Sequence, residues 1–439
     1  MSVFDDLAGQ ERVSAELRAA AAAAAAVLED TGQADVAVGS SGDRGAAGRA
    51  ARGGMTHAWL FTGPPGSGRS VAARAFAAAL LCQPGGTTPR NPPPGQPGGT
   101  ILRTPPPPRQ DRGCGHCAAC HQVLAGTHAD LLLVQPEGLS YGVKQTRDLV
   151  LRAATAPVGG RWRVIIFEDA DRATEQAANA LLKAIEEPTP RTVWLLCAPS
   201  PDDMVPTIRS RCRLVTLRTP AADAIAATLA RRDGIEPDRA LQAARAAQGH
   251  IGRARRLATD PEAARRRADV LNVPASVDGV GSAVAAAARL IEAADAEAAA
   301  VTAALDEPEQ EELRRALGEG SSGKGVAKAV RSALRPTGVL RELTDRQKSR
   351  ATRLKRDSLD RALLDLAGFY RDVLTVQFGA PVELANADVE AAIRRIAGTT
   401  TPESTLRRMR AIMACRERLE ANAHPLLAAE AMALALLAG

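Results

Sequence analysis

Apolar runs alternate with helical repeats through the first half of the chain, and helical repeats alone fill the second half. Ala58-Trp59-Leu60-Phe61-Thr62 is an unbroken apolar run that ends in a Gly-rich turn, and residues 71–81 behind it repeat Ala and Leu at helical spacing. Asp130-Leu131-Leu132-Leu133-Val134, Arg163-Val164-Ile165-Ile166-Phe167-Glu168, Thr192-Val193-Trp194-Leu195-Leu196-Cys197 and residues 214–217 read as further buried strands. Residues 144–154 read as a helix. A second helix follows Thr174, which can cap it; Ala177, Ala180, Leu181, Ala184 and Ile185 share one face and Pro188 ends it. Strands alternating with helices predict a parallel sheet with helices on both faces. Beyond residue 219 no strand signal returns. The pattern predicts an α/β domain over residues 1–218, a small helical domain over 219–275 and a larger all-α domain over 276–439, broken by the Gly/Ser/Lys stretch from Glu319 to Gly325.

Two tracts interrupt the pattern. Residues 19–54 begin as an Ala run, which can prolong the helix predicted before it. They then turn into a Gly/Ser/Asp/Arg mixture with almost no large apolar side chain, so the tract reads as a low-complexity insertion. Residues 84–112 are rich in Pro, Gly and Thr and admit neither a helix nor a central strand. Composition adds a constraint on the cores: 45% of the 439 residues are hydrophobic but only 3% aromatic, so Ala, Leu and Val must fill them. The formal charge of +6 (56 basic minus 50 acidic residues) is compatible with an anionic partner without requiring one. No run of about 18 apolar residues predicts a membrane helix, and no basic-then-apolar leader pattern opens the chain. A cytoplasmic protein is the expectation.

Three groups of residues carry candidate chemistry. Gly63-Pro64-Pro65-Gly66-Ser67-Gly68-Arg69-Ser70 has the spacing of a phosphate-binding loop between a strand and a helix. Such a loop aims backbone N–H groups and a helix N-terminus at phosphate. Arg69 stands where Lys is usual, and its bulkier planar head is not equivalent at a tight site. Glu168 and Asp169 end a strand expected to lie beside the loop strand. Acids there can hold Mg²⁺ and polarise water, though the longer acid precedes the shorter one. Cys114, Cys117 and Cys120 form overlapping C-x2-C spacings that direct three thiolates at one ion. Cys82 is the upstream candidate for the fourth ligand of a structural zinc site, with His116 or His121 as the competitor. Cys197, Cys212 and Cys415 are isolated in apolar surroundings and read as core residues. Arg211, after Pro206-Thr207-Ile208-Arg209-Ser210, reads from spacing alone as a surface arginine.

The segment from Val164 to Pro188, with Ala178-Asn179-Ala180-Leu181-Leu182-Lys183-Ala184-Ile185-Glu186-Glu187-Pro188, resembles the AAA+ subunits of bacterial clamp loaders, which belong to the DNA polymerase III complex. His57 to Gly63, the cysteine module, Pro206 to Cys212, Gly249-His250-Ile251-Gly252-Arg253-Ala254, Tyr370-Arg371-Asp372 and Asn422-Ala423-His424-Pro425-Leu426 are similar to the same family. The resemblance implies a P-loop (AAA+) domain with an inserted zinc module, a helical lid and a helical collar. Within the family the departures matter: Arg69 for Lys, Glu168-Asp169 for Asp-Glu, Ala198 and Pro199 at a sensor position, and Gly252 where a second sensor Arg belongs. Arg211 is retained. This combination resembles the delta-prime, or stator, branch, which lends an arginine finger to an adjacent ATPase subunit and hydrolyses little or no ATP itself. The resemblance implies gamma/tau motor and delta subunits as partners in a hetero-pentamer, with the sliding clamp and primed DNA reached through the complex. Its cofactor would be structural Zn²⁺, with ATP/Mg²⁺ in doubt. The alternative is an ATP-hydrolysing motor using Gly63, Gly66, Gly68, Arg69, Ser70 and Asp169. The basic segment from Arg346 to Arg356 reads as a solvated helix face before it reads as a DNA contact.

Overall fold

The structure, a computed structural model, describes residues 2–34, 55–83, 112–136, 138–159, 161–316 and 336–439. The second part of the first inserted tract, nearly all of the Pro-rich tract and the Gly/Ser/Lys break lie outside the described residues. The chain divides into two compact units, one holding the described residues up to 254 and the other those from 255 onward with a short loop at residues 138–139.

The first unit is built on five parallel strands, β1 (Ala58–Thr62), β2 (Leu131–Val134), β3 (Arg163–Phe167), β4 (Thr192–Ala198) and β5 (Arg213–Thr216), in the order β2-β3-β4-β1-β5. This corrects one expectation. β3 does not lie beside β1; β4 separates them, with Trp194 paired to Ala58 on one side and to Ile165 on the other. All seven residues of β4 are buried, as suits the strand at the centre of the sheet. The acids at the end of β3 therefore sit one strand further from the Gly-rich loop than adjacency would place them.

Side-chain alternation divides the sheet between two layers of helix. Trp59, Phe61, Val164, Ile166, Val193, Leu195 and Cys197 face the helices Glu11–Ala34 and Arg69–Leu81. Leu60, Ile165, Phe167, Trp194 and Leu196 face Leu149 of the helix Val143–Ala153 and Ala177, Leu181 and Ile185 of the helix Glu175–Glu186. The Ala run is structural: the helix Glu11–Ala34 continues through it, and Ala20, Ala21 and Ala24 are buried in the core. Small residues on both helices permit close approach without large aromatics, in keeping with the composition. Thr174 caps the helix Glu175–Glu186 as expected, accepting a hydrogen bond from the Ala177 N–H at 3.3 Å. The helices Ala222–Asp233 and Pro237–Ala246 form a satellite core of Ile225, Leu229, Ala240 and Ala244, against which Ala254 packs.

The second unit is all helical. The long helices Val280–Ala316 and Pro336–Gln377 pack with Pro261–Ser276, Glu390–Thr399, Pro402–Glu420 and Pro425–Ala438 around Leu363, Leu366, Phe369, Val373, Ile393, Ile412 and Met432. Ala283 and Ala287 meet Ala429 and Ala433, a small-residue contact that brings two helices close together. A buried polar network links three segments of this unit. Arg267 reaches Asp388 at 2.9 Å and Asn386, and Asn386 donates from both its nitrogens to Asp372 at 2.8 Å. Among the described residues, no helix is long and apolar enough to cross a membrane.

Candidate phosphate loop, cysteine cluster and surface arginine

The Gly-rich loop leaves β1 at the carboxyl end of the sheet, the position where parallel α/β folds bind ligands. Its ends are tied to the neighbouring strands: the Gly63 N–H donates to the Pro199 carbonyl at 3.1 Å, and the Leu217 N–H to the Thr62 carbonyl at 2.7 Å. Gly66 (φ 88°) and Gly68 (φ 91°) adopt the left-handed conformation that the loop requires. A Cβ on Gly66 would lie 2.6 Å from the His250 Cα, so the segment after the helix Pro237–Ala246 lies directly against the top of the loop.

Two of the groups that should face phosphate and metal, Arg69 and Glu168, contact protein instead. Arg69 opens the helix Arg69–Leu81 and turns back, donating from Nη1 to the Gly63 carbonyl at 2.5 Å. Ser70 follows it, half-buried, on the first turn. Glu168 is only 8% exposed, and both its carboxylate oxygens are taken. Arg74 donates to Oε1 at 3.1 Å and Gln135 to Oε2 at 2.7 Å. Asp169 sits in a left-handed turn (φ 48°) and lies within electrostatic reach of Asp171, as does Arg69; burial is the main influence on Asp171 and pushes its carboxyl up. Ser67 is buried, and its Oγ has no hydrogen-bond partner among the described residues. The structure thus brings Gly63, Gly66, Gly68, Arg69, Ser70, Glu168 and Asp169 to one end of the sheet. It adds Arg74, Gln135, Ser67 and His250, which sequence reasoning gave no role. Only Arg74 left a local signal, a second cation on the same helix as Arg69.

The four cysteines of the predicted module come together. Cys82 caps the carboxyl end of the helix Arg69–Leu81, and Cys117 caps the helix Ala118–Leu124, its Sγ accepting from the Cys120 N–H at 3.4 Å. Cys114 sits in the turn between them. The sulfurs of Cys82, Cys114, Cys117 and Cys120 all lie within 4.8 Å of one another, and those of Cys82 and Cys114 are 3.8 Å apart. A tetrahedron with metal–sulfur bonds of about 2.3 Å sets its sulfurs roughly 3.8 Å apart. The two competing ligands are turned away: His116 Nδ1 pairs with the Cys114 carbonyl and His121 Nε2 with the Gly115 carbonyl, each at 2.9 Å. Cys82 therefore completes the set. The Cys82 thiol is drawn well below its ordinary range, above all by the hydrogen bond from Cys120, against the opposing effect of burial. A divalent cation would displace the protons of these thiols. Four thiolates with no open position form a structural rather than a catalytic donor set. Cys197 and Cys415 are buried, as their apolar surroundings predict, and Cys212 is half-buried.

Arg211 lies at the surface, 40% exposed, beyond the short helix Pro206–Arg209. Its Nε pairs with Glu186 at 2.6 Å, and Nη1 donates to the Thr207 carbonyl at 2.8 Å. In the basic segment of the second unit, Arg350 pairs with Asp306 and Glu309, Lys355 with Asp295 and Arg353 with Asp357. Much of that charge is neutralised within the protein.

These features define a class: a phosphate-loop α/β domain carrying a closed cysteine module, followed by a helical unit. Comparison with known proteins narrows it. A family model described as DNA polymerase III, delta subunit, matches residues 105–221, and one described as DNA polymerase III, delta subunit, C terminal, matches residues 349–430. The DNA polymerase III subunit delta' of Pseudomonas aeruginosa is 38% identical over 189 residues, covering 42% of this chain and 50% of its own. That of Bacillus subtilis is 30% identical over 219 residues, 50% of this chain and 59% of its own. The DNA polymerase III subunit gamma/tau of Mycobacterium tuberculosis is 33% identical over 193 residues, 43% of this chain and 29% of its own. The chain spans about half the length of the curated delta' relatives it matches. Over those segments it is delta-prime-like, which bears out the family resemblance read from its motifs.

Proposed function

We propose that this chain is the delta-prime-type stator of a bacterial clamp loader, which supports sliding-clamp loading on primed DNA without hydrolysing ATP at its own loop. One observation carries the reading. At the loop, Arg69 closes on Gly63 and Glu168 is held by Arg74 and Gln135, while Arg211 stands at the surface. A γ-phosphate would have to displace the first contact, and Mg²⁺ the others. In this reading Arg211 reaches the nucleotide of a neighbouring gamma/tau-type subunit, where an arginine finger accelerates phosphoryl transfer by on the order of 10³–10⁵. The helices within residues 219–275 act as the lid, and those within residues 276–439 act as the collar that holds motor and delta subunits in a pentamer. Cys82, Cys114, Cys117 and Cys120 hold one structural Zn²⁺.

The retained glycine conformations and Ser70 favour a second reading, an ATP-hydrolysing motor subunit. One experiment separates the two. The complex is assembled from motor, delta, clamp and primed DNA with wild type, Arg211→Ala or Arg69→Ala, and the isolated chain is assayed in parallel. The stator reading expects Arg211→Ala to abolish turnover at the neighbouring site, Arg69→Ala to leave it unchanged and the isolated chain to be inactive. ATP hydrolysis by the isolated chain that Arg69→Ala removes would establish the motor.

A further inference from the structure

Arg211 is held at two of its three guanidinium nitrogens. Its Nε pairs with Glu186 Oε1 at 2.6 Å, and Nη1 donates to the Thr207 carbonyl at 2.8 Å and to Ser210 Oγ at 3.3 Å. Nη2 donates no hydrogen bond among the described residues. The grip comes from two elements, because Glu186 ends the helix Glu175–Glu186 while Thr207 lies in the helix Pro206–Arg209. Arg209 provides a local contrast. Its nearest contact is a single carboxylate, Asp202 at 2.6 Å, which is 87% exposed, and its other hydrogen bond, to the Pro201 carbonyl, is 3.5 Å long.

An ion pair with both partners about 40% exposed contributes little to folding stability. What it fixes is orientation. A free arginine head samples many rotamers, and the entropy of freezing it must otherwise be overcome in the transition state. With Nε and Nη1 engaged, Nη2 is the nitrogen left to meet an incoming anion, next to the edge that the Glu186 carboxylate holds.

We propose that Glu186 is the positioning residue of Arg211, fixing the guanidinium so that Nη2 meets the γ-phosphate bound by a neighbouring subunit. This rests on the reading that Arg211 acts in trans. Glu186 does not touch the nucleotide; it acts through Arg211.

Single-turnover ATP hydrolysis is measured in the full complex with wild type, Glu186→Ala, Glu186→Gln, Arg211→Ala and the double variant Glu186→Ala/Arg211→Ala. Glu186→Ala is expected to slow the neighbouring site by on the order of tenfold with the KM for ATP unchanged. Glu186→Gln, which keeps an acceptor oxygen, recovers part of the loss. The double variant matches Arg211→Ala alone. Unchanged thermal unfolding of Glu186→Ala separates positioning from folding. If Arg211→Ala slows the site but Glu186→Ala leaves it unchanged or faster, or if the two losses add, the positioning role is overturned while the stator reading survives. If Arg211→Ala itself has no effect, both fall.

Discussion

The cysteine cluster and the phosphate loop lie at opposite ends of one helix, Arg69–Leu81, and have kept different things. At the carboxyl end, Cys82 joins three cysteines whose sulfurs converge within 4.8 Å and, among the described residues, have no partners but one another and nearby backbone. At the amino end Gly66 and Gly68 take the left-handed conformations of a phosphate loop, but two of the side chains that would serve it are engaged with protein. Arg69 closes on Gly63, and Glu168 is shared between Arg74 and Gln135. The lesson is that a motif's spacing reports the backbone more faithfully than the chemistry. At Gly66 a Cβ would collide with His250, and at Gly68, where there is open space, the left-handed φ of 91° is what favours glycine. Charged side chains can be reassigned to internal partners without disturbing that backbone.

The largest effect that would sharpen the contrast is at the cysteines. Cys120→Ser should reduce bound zinc, measured by elemental analysis of the purified chain, from one equivalent to none. It should also lower the unfolding temperature by several degrees. The free-energy loss should fall below the roughly 10–16 kcal/mol associated with structural zinc in isolated fingers, because this module also packs on the core. Cys114, Cys117 and Cys120 share one cluster with Val3 and Phe4. Retention of a full equivalent of zinc in both Cys120→Ser and Cys82→Ser would break the four-sulfur assignment.

Gly66→Ala comes next. The left-handed φ of 88° alone should cost about 1–3 kcal/mol, and the new Cβ would have to displace His250. The expected signature is a lower unfolding temperature with faster amide exchange in residues 247–254. Exchange that stays as slow as in wild type would mean the His250 segment does not rest on the loop in solution. Arg69→Lys tests the other half of the comparison. It restores the usual loop residue but leaves Glu168 held by Arg74 and Gln135, so titration with a fluorescent ATP analogue and Mg²⁺ should show no gain in binding over wild type. A tenfold or larger gain would show that Arg69 alone closes the site.

How much of this was legible in the sequence depended on how local the determining interactions are. The five strands, the Thr174 cap and the convergence of Cys114, Cys117 and Cys120 follow from neighbours a few residues apart, and all were readable. Cys82 was readable as a candidate, but its choice over His116 and His121 was not, because it depends on ring nitrogens finding backbone carbonyls. The insertion of β4 between β1 and β3 leaves no mark in the hydrophobic pattern of any one strand, since both neighbours of a buried strand read alike. The fate of Glu168 was out of reach for the same reason. Its partners Arg74 and Gln135 lie 94 and 33 residues away in the chain. The Ala run was legible as a helix former, whereas its burial against the Ala-rich helix Arg69–Leu81 needed the fold.

The smallest expected effect lies at Ser67, and it tests whether the loop still holds a polar site at all. Ser67 is 1% exposed, and its Oγ is buried with no hydrogen-bond partner among the described residues. An unpaired buried hydroxyl is unfavourable, so replacing it with a methyl group should be neutral or stabilising by up to about 1 kcal/mol. Chemical denaturation of Ser67→Ala should therefore give a midpoint at or above that of wild type, with an unchanged denaturant slope. The same variant should leave turnover in the assembled complex unchanged. If Ser67→Ala instead destabilises the chain, the hydroxyl has a partner in solution. An anion cradled by the loop is the natural candidate, and the stabilising effect of added phosphate or pyrophosphate on wild type but not on the variant would identify it. In that case the amino end of the helix would have kept a ligand as the carboxyl end does, and the contrast between the two ends would narrow to the loss of Mg²⁺ chemistry at Glu168.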